Sequence, residues 1–335
     1  MEVILIFLVI IAGSIVRMTG SGMGCPDWPK CFGYTIPPTE RSTLEWTPQR
    51  SYQKDQMIIR DEALYRARKD FTSGEAYDAA RWEEYTVHDY AQFNARHTWI
   101  EYLNRLLGAL SGLPMLGLVI LGGFYYRRDR RPLLLALVGL FMLGFEAWLG
   151  KRVVDANLLP GSITIHMMGA LSIVAILLLL GGILRRASYP PTYYTRLFRL
   201  VLVGSLLLTL IQIVMGTQVR EWVDSYLRME MARQDWLSHA ELTFYVHRSF
   251  SLLVLAVNLW LWWHNRQHQL QFRQIGGVMS IILAEIALGI ILTYAGLPAW
   301  AQPLHLLLAA GLFALQWQMI VQLYLSHSKQ VVPVE

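Results

Sequence analysis

The sequence predicts an all-α polytopic membrane protein, with eight transmembrane helices arranged as two pseudo-symmetric four-helix bundles. Three observations carry that expectation. Of 335 residues, 54% are hydrophobic and only 16% charged, against about 25% charged in a soluble domain. The apolar residues fall into eight long runs, and the runs repeat in sets of four. The net charge of +5 predicts no nucleic-acid partner, because the arginines crowd into short loops between apolar runs, where they set topology in a lipid bilayer.

A spanning helix needs about 20 mostly apolar residues. The first run, Glu2–Met18, is short; it lacks a basic leader and ends in "RMTGSG" without a small-residue cleavage site, so it reads as a retained helix. Ile100–Tyr126 opens in "WIEYLNRLLG" and stops at the basic "YYRRDRRP". Pro132–Gly150 follows and ends at "KRVVD"; Ser162–Leu184 begins at "SITIH" and ends at paired arginines. Leu200–Thr217 stops where "REW" brings charge, Tyr245–His264 opens in "FYVHRSFSLL", Gly276–Tyr294 is interrupted by Glu285, and Leu304–Leu325 follows the turn "AGLPAWAQP".

The loops "YYRRDRRP", "RRASYPPTYYTRLFR" and "HNRQHQLQFRQ" are almost purely basic, whereas the alternate connections are mixed or nearly uncharged. The positive-inside rule places the basic set and both termini in the cytoplasm. The long connection at about 19–98 then lies outside. Its stretch from Arg50 to His97 reads as amphipathic helical material, either a cap over the outer end of the bundle or a solvated insertion. Cys25 and Cys31, in "GCPDWPKC", fit neither a CxxC redox pair nor a zinc pattern. They are two free thiols or, in an oxidising exterior, a short disulfide loop.

Self-similarity divides the chain into halves, 1–190 and 191–335. "IVRMTG" after the first run resembles "TQVREW" after the fifth, Tyr102 aligns with Tyr245, and "PGSITIHMMGAL" resembles "PAWAQPLHLLLAAG", which aligns His166 with His305. Four crossings per half make the repeat parallel, about an axis along the membrane normal.

His166, His247 and His305 each lie just inside the outer end of a helix, with Asn104 at the matching level. Buried polar residues in spans are costly and face the bundle interior. Interface snorkelling or a structural hydrogen bond, metal ligation and proton transfer compete for such histidines. His247 and His305 suit the two axial positions of a haem iron, and Arg248, Arg220 or the matching Arg105 could meet a propionate. Zinc lacks its four ligands. In the other half Asn104 replaces a histidine, and Glu101 stands three residues earlier on the same helical face, where the second copy has Phe244. Glu101 is a site acid or an interfacial carboxylate paired with Arg105 or Arg96. His97 is a substitute ligand two turns higher, while His88 and His239 carry less weight; Glu285, isolated in the seventh run, is expected to meet a polar group from a neighbouring helix and has no assigned role.

The ordered set "RMTGSGMGCPDWPKCFG", "EYLNRLLG", "LGKRVV", "ITIHMMGA", "MGTQVRE", "HRSFSLL" and "LPAWAQPLHLLLA" resembles the haem A synthase family over nearly all eight helices. The resemblance implies an inner (cytoplasmic) membrane enzyme that oxidises the C8 methyl group of haem O to a formyl group by successive hydroxylations, yielding haem A for cytochrome oxidase. It implies a haem b held by His247 and His305. The substrate porphyrin would be associated with Glu101 and His166, the carboxylate managing protons or stabilising charge and the imidazole holding the iron. Cys25 and Cys31 match the family's first-loop pair. Implied partners are haem O, haem A, a membrane electron donor, and haem O synthase or cytochrome oxidase assembly factors. Where the family commonly reads E-x-x-H-R, this chain reads Glu101-Tyr-Leu-Asn104-Arg105, which removes the family's histidine and leaves bis-histidine ligation of the N-terminal site open. A cysteine pair that some members carry between helices five and six is absent from the sequence. Two other classes compete: a di-haem electron-transfer subunit that leaves its haems unaltered, and a transporter of haem-like molecules.

Overall fold

A computed structural model describes residues 1–86, 93–155, 161–186, 193–229, 231, 233–325 and 329–330. Among them are eight α-helices: α1 (Glu2–Met18), α2 (Ala95–Tyr125), α3 (Arg131–Asp155), α4 (Ser162–Leu184), α5 (Arg196–Arg228), α6 (Leu242–Gln267), α7 (Gln274–Tyr294) and α8 (Ala301–Leu325). The last seven are long and apolar enough to cross a membrane. With 17 residues, α1 reaches about 26 Å at 1.5 Å per residue, short of a hydrocarbon core of about 30 Å.

The chain divides into two compact units, one of Met1–Ile11, Leu110–Glu146 and Pro160–Glu335, the other of Ala12–Ala109 and Ala147–Leu159. In the first, α5 packs on α6, α6 on α7, α7 on α8, and α8 back on α5, while α4 lies against α8 and α5. Their shared core includes Leu171, Val174, Phe198, Leu202, Leu261 and Val278, all buried. Burial of each such side chain is worth about 1.5–3 kcal/mol against water, but in lipid the packing itself and polar ties hold helices together. One such tie joins Ser205, Asn258 and Gln316, each fully buried, with Gln316 Nε2 donating to Ser205 Oγ at 2.9 Å.

Helix α5 runs eleven residues past its expected end at Thr217. The charged "REWVDSYLR" looked extramembrane, yet Val219, Trp222, Val223 and Tyr226 recur at helical spacing and pack with Trp236 and Leu297. The helix continues because that stripe is buried. At this level Glu221 accepts from Gly161 N at 2.7 Å and Thr164 and Thr217 share a hydroxyl hydrogen bond of 2.6 Å, fixing the start of α4 to α5.

The second unit corrects the expectation of amphipathic helix after the first span. Between Ser51 and Glu84 it carries five short strands and one 3-10 turn instead: β1 (Ser51–Tyr52), β2 (Met57–Arg60), β3 (Ala63–Ala67), β4 (Phe71–Thr72) and β5 (Trp82–Glu84). The strands β2, β3 and β5 form one antiparallel sheet, and β1 pairs with β4. Arg60 opposes Ala63, so β2 and β3 join through Asp61 and Glu62 alone, both at positive φ, +48° and +56°. That is the backbone of a two-residue hairpin turn, normally marked by Asn-Gly or Asp-Gly. Asp-Glu carries no such mark. Both sheet faces are buried: Met57, Ile59 and Leu64 join Cys25, Cys31, Phe32 and Leu44 in one small core, while Ile58 and Ala67 join Tyr52 and Trp82 in another. Alternating side chains thus read as one apolar run rather than a period of two.

Candidate functional site

In the second unit, Cys25 and Cys31 form a disulfide, so the thiol alternative falls. The loop they close is seated on the first turns of α2. Gly24 O accepts from Thr98 Oγ1 at 2.8 Å and Cys25 N donates to Glu101 Oε2 at 2.9 Å. Gly24 permits that approach, since a Cβ there would come within 2.5 Å of the His97 carbonyl carbon. Thr98, Glu101 and Arg105 are spaced at i, i+3 and i+7, one helical face. Arg105 pairs with Glu101 through Nη2 and reaches into the loop, Nη1 donating to Asp27 O at 2.6 Å and Lys30 O at 3.0 Å. The guanidinium is thereby committed to the loop carbonyls and to Glu101.

Glu101 is buried, and its carboxylate sits between a cation and a backbone N–H beside the disulfide. Asn104 lies on the adjoining stripe with its Oδ1 buried and without a hydrogen-bond partner among the described residues. A Cβ at Gly13 of α1 would stand 3.8 Å from that oxygen. Because α2 starts at Ala95, His97 is helical and falls at i−4 to Glu101 and i−7 to Asn104. His88 lies outside the described residues, and His239 is an exposed residue bonded to Ser238.

In the first unit, α6 and α8 bring His247 and His305 together, ring centroids 6.4 Å apart and planes crossed at 86°. Two metal–imidazole bonds of about 2 Å on opposite sides of one ion put the ring centroids about 6 Å apart. The pair therefore fits the axial donor set of a haem iron. His247 Nδ1 is buried, and Gln212 Nε2 donates to the His247 carbonyl at 3.0 Å. Gly216 of α5 backs the ring: a Cβ there would lie 3.1 Å from His247 Cε1. Gly13 bears the same relation to Asn104 in the sequence repeat, four residues before Arg17 as Gly216 is before Arg220. Of the arginines, Arg220 is bound to Gln302 and Asp224, while Arg248 is exposed with its guanidinium 5.5 Å from the Tyr245 ring centre.

Glu146 escaped the sequence reading, and Glu285, expected to meet a polar group of a neighbouring helix, finds that group in His305. His305 Nδ1 contacts Glu285 Oε2 of α7, and His166 Nδ1 contacts Glu146 Oε2 of α3. Each carboxylate precedes its histidine by twenty residues. The signal was present in the repeat: once His166 is aligned with His305, Glu146 falls on Glu285. Among the described residues no group of three or more His, Cys, Asp or Glu converges on a metal position.

A family model described as cytochrome oxidase assembly protein (COX15-CtaA) matches residues 1–62 and 65–317. A Heme A synthase of Methylobacterium nodulans is 27% identical over 335 residues, covering 90% of this chain and 84% of that protein. One from Methylobacterium radiotolerans is 25% identical, covering 93% and 85%. A Heme A synthase of Shewanella oneidensis is 27% identical over 173 residues, and the match spans 52% of this chain and only 40% of that protein.

Proposed function

The chain belongs to the cytochrome oxidase assembly protein family, and from that premise we propose that it is a haem A synthase, an oxidoreductase that converts the C8 methyl group of haem O to the formyl group of haem A. The observation that carries this reading is the His247–His305 pair at a centroid separation suited to haem iron. These two residues hold a resident haem b. A bound haem b supplies one-electron redox capacity; orientation and electrostatics come from the protein.

The remaining roles follow from the chain's own residues. His166 holds the substrate iron. Glu101, buried beside the Cys25–Cys31 loop, moves a proton or stabilises charge next to the reacting methyl. Asn104 leaves the second axial side of that substrate without an imidazole, which eases entry of haem O and departure of haem A, with His97 as the other nitrogen donor on the same stripe. Arg220 and Arg248 serve propionates in the C-terminal half, and Arg105 fixes the loop over Glu101.

In this reading the halves 1–190 and 191–335 are two four-helix bundles, and α1 is an eighth span seated in locally thinned bilayer. Both termini are in the cytoplasm, a side supported by the basic short loops, and both porphyrins lie near the outer face of the inner membrane. Haem O synthase as supplier and cytochrome oxidase assembly factors as receivers complete the set of partners.

The test is product formation. Protein reconstituted in lipid with haem O and a competent reducing system should yield formyl-bearing haem, identified by mass spectrometry. His247→Ala and His305→Ala should lose the resident haem; Glu101→Gln should keep it and lose product. A wild-type protein that retains haem and passes electrons while returning haem O unchanged would instead be the electron-transfer subunit.

A further inference from the structure

We propose that Glu146 and Glu285 are positioning residues, each accepting the Nδ1–H of one iron-binding imidazole and so fixing the tautomer that presents Nε2 to the metal. The proposal rests on the haem reading above and adds a second layer to it. Four observations support it.

Each carboxylate contacts Nδ1 of its histidine, His166 in one case and His305 in the other. The contact occurs twice, between consecutive helices at the same twenty-residue spacing, so one accidental ion pair does not explain it. Both acids stand within apolar spanning helices, where an ionisable group is costly and tied to a partner; among the described residues the second oxygen of each, Oε1, has no hydrogen-bond partner. Finally, α4 makes room for one of them, because a Cβ at Gly169 would overlap Glu146 Oε1.

A metal-bound histidine whose other ring nitrogen donates to a carboxylate is oriented by it and made more basic, and loss of such a partner typically lowers metal affinity or activity about 10–100-fold. Greater basicity favours ferric over ferrous iron, since second-layer hydrogen bonding is one of the protein's levers on haem potential. The N-terminal half keeps this device although Asn104 has replaced its second imidazole. Glu146 therefore serves a porphyrin held from one side, and Glu285 a haem held from both.

The experiment compares the wild-type holoprotein with Glu285→Gln, which keeps an acceptor oxygen and removes the charge, and with Glu285→Asp, which keeps the charge and shortens the reach. The readout is the midpoint potential of the retained haem, followed by visible and electron-paramagnetic spectra. The expected result is a more positive potential in Glu285→Gln, on the order of a tenfold loss of ferric preference or about 59 mV for one electron, with partial return in Glu285→Asp. In the other half, Glu146→Gln should weaken haem O retention by about 10–100-fold. A haem-loaded Glu285→Gln that titrates at the wild-type potential overturns the proposal, as does failure of both Glu285 variants to accumulate in the membrane, which would assign the pair to folding. Loss of haem from both variants at normal protein levels supports it. Wild-type protein that neither carries nor takes up a porphyrin sinks the haem reading itself, a result visible before any variant is compared.

Discussion

Gly24→Ala tests whether the seat of the disulfide loop on α2 is what protects it. A Cβ at Gly24 would come within 2.5 Å of the His97 carbonyl carbon and oxygen and 2.7 Å of Thr98 N. These are helix backbone atoms and cannot swing aside, so the loop must lift. Lifting breaks the Cys25 N–Glu101 hydrogen bond of 2.9 Å and the Thr98 Oγ1–Gly24 O bond of 2.8 Å. The first has a charged acceptor and is worth about 1.5–3 kcal/mol, the second about 1 kcal/mol. Their sum, about 3 kcal/mol, raises the population of the opened loop by about two orders of magnitude at 1.4 kcal/mol per decade. Reduction of the disulfide proceeds through that opened state. In native membranes treated with dithiothreitol and then a mass-tagged alkylating agent, the variant should lose its disulfide about 100-fold faster than wild type. Equal rates would refute the reasoning, leaving the Arg105 contacts with Asp27 O and Lys30 O as sufficient to hold the loop.

Other substitutions probe the remaining geometry. Gly216→Ala places a Cβ 3.1 Å from His247 Cε1, so the ring must shift by a few tenths of an ångström; purified protein should carry less haem, read from the Soret band per chain. Asn104→His restores an imidazole where a Gly13 Cβ would still clear the native side chain by 3.8 Å. It should tighten haem O retention and slow product release, seen as more low-spin porphyrin and fewer turnovers. Asp27 accepts from Gly33 N at 2.9 Å, and burial pushes its carboxyl up from 3.8 despite that bond and Arg105. A raised acid of this kind destabilises the fold progressively as pH climbs from the unfolded value through the folded one, and not below. The amide of Asp27→Asn does not titrate, so the stability of that variant relative to wild type should improve across that window in thermal unfolding, and a pH-independent difference would count against the burial argument.

The spanning helices were legible because the bilayer demands long apolar runs, and the His247–His305 pair because a repeat exposes two imidazoles at one level. The limits are as physical. The reach of α5 past Thr217 was hidden by charge, since its apolar stripe at Val219, Trp222, Val223 and Tyr226 is one face of a helix whose other face is polar. The sheet around Met57–Ala67 was hidden twice, by a hairpin turned on Asp61 and Glu62 without glycine and by burial of both faces, which erases alternation. Glu101 and Arg105 were readable as a pair at i and i+4, but not their grip on Cys25, Asp27 and Lys30, which depends on Gly24 meeting the helix backbone. Glu146 went unnoticed because one acid in an apolar run signals nothing until its repeat mate is set beside it.

The tie between each histidine and the acid on the helix before it has an evolutionary consequence. In the proposed reading, ligand and anchor travel together in one two-helix cassette, so a duplication would deliver both in a single genetic event. Drift at Asn104, which belongs to a different helix, can then specialise one copy while its inherited anchorage survives intact.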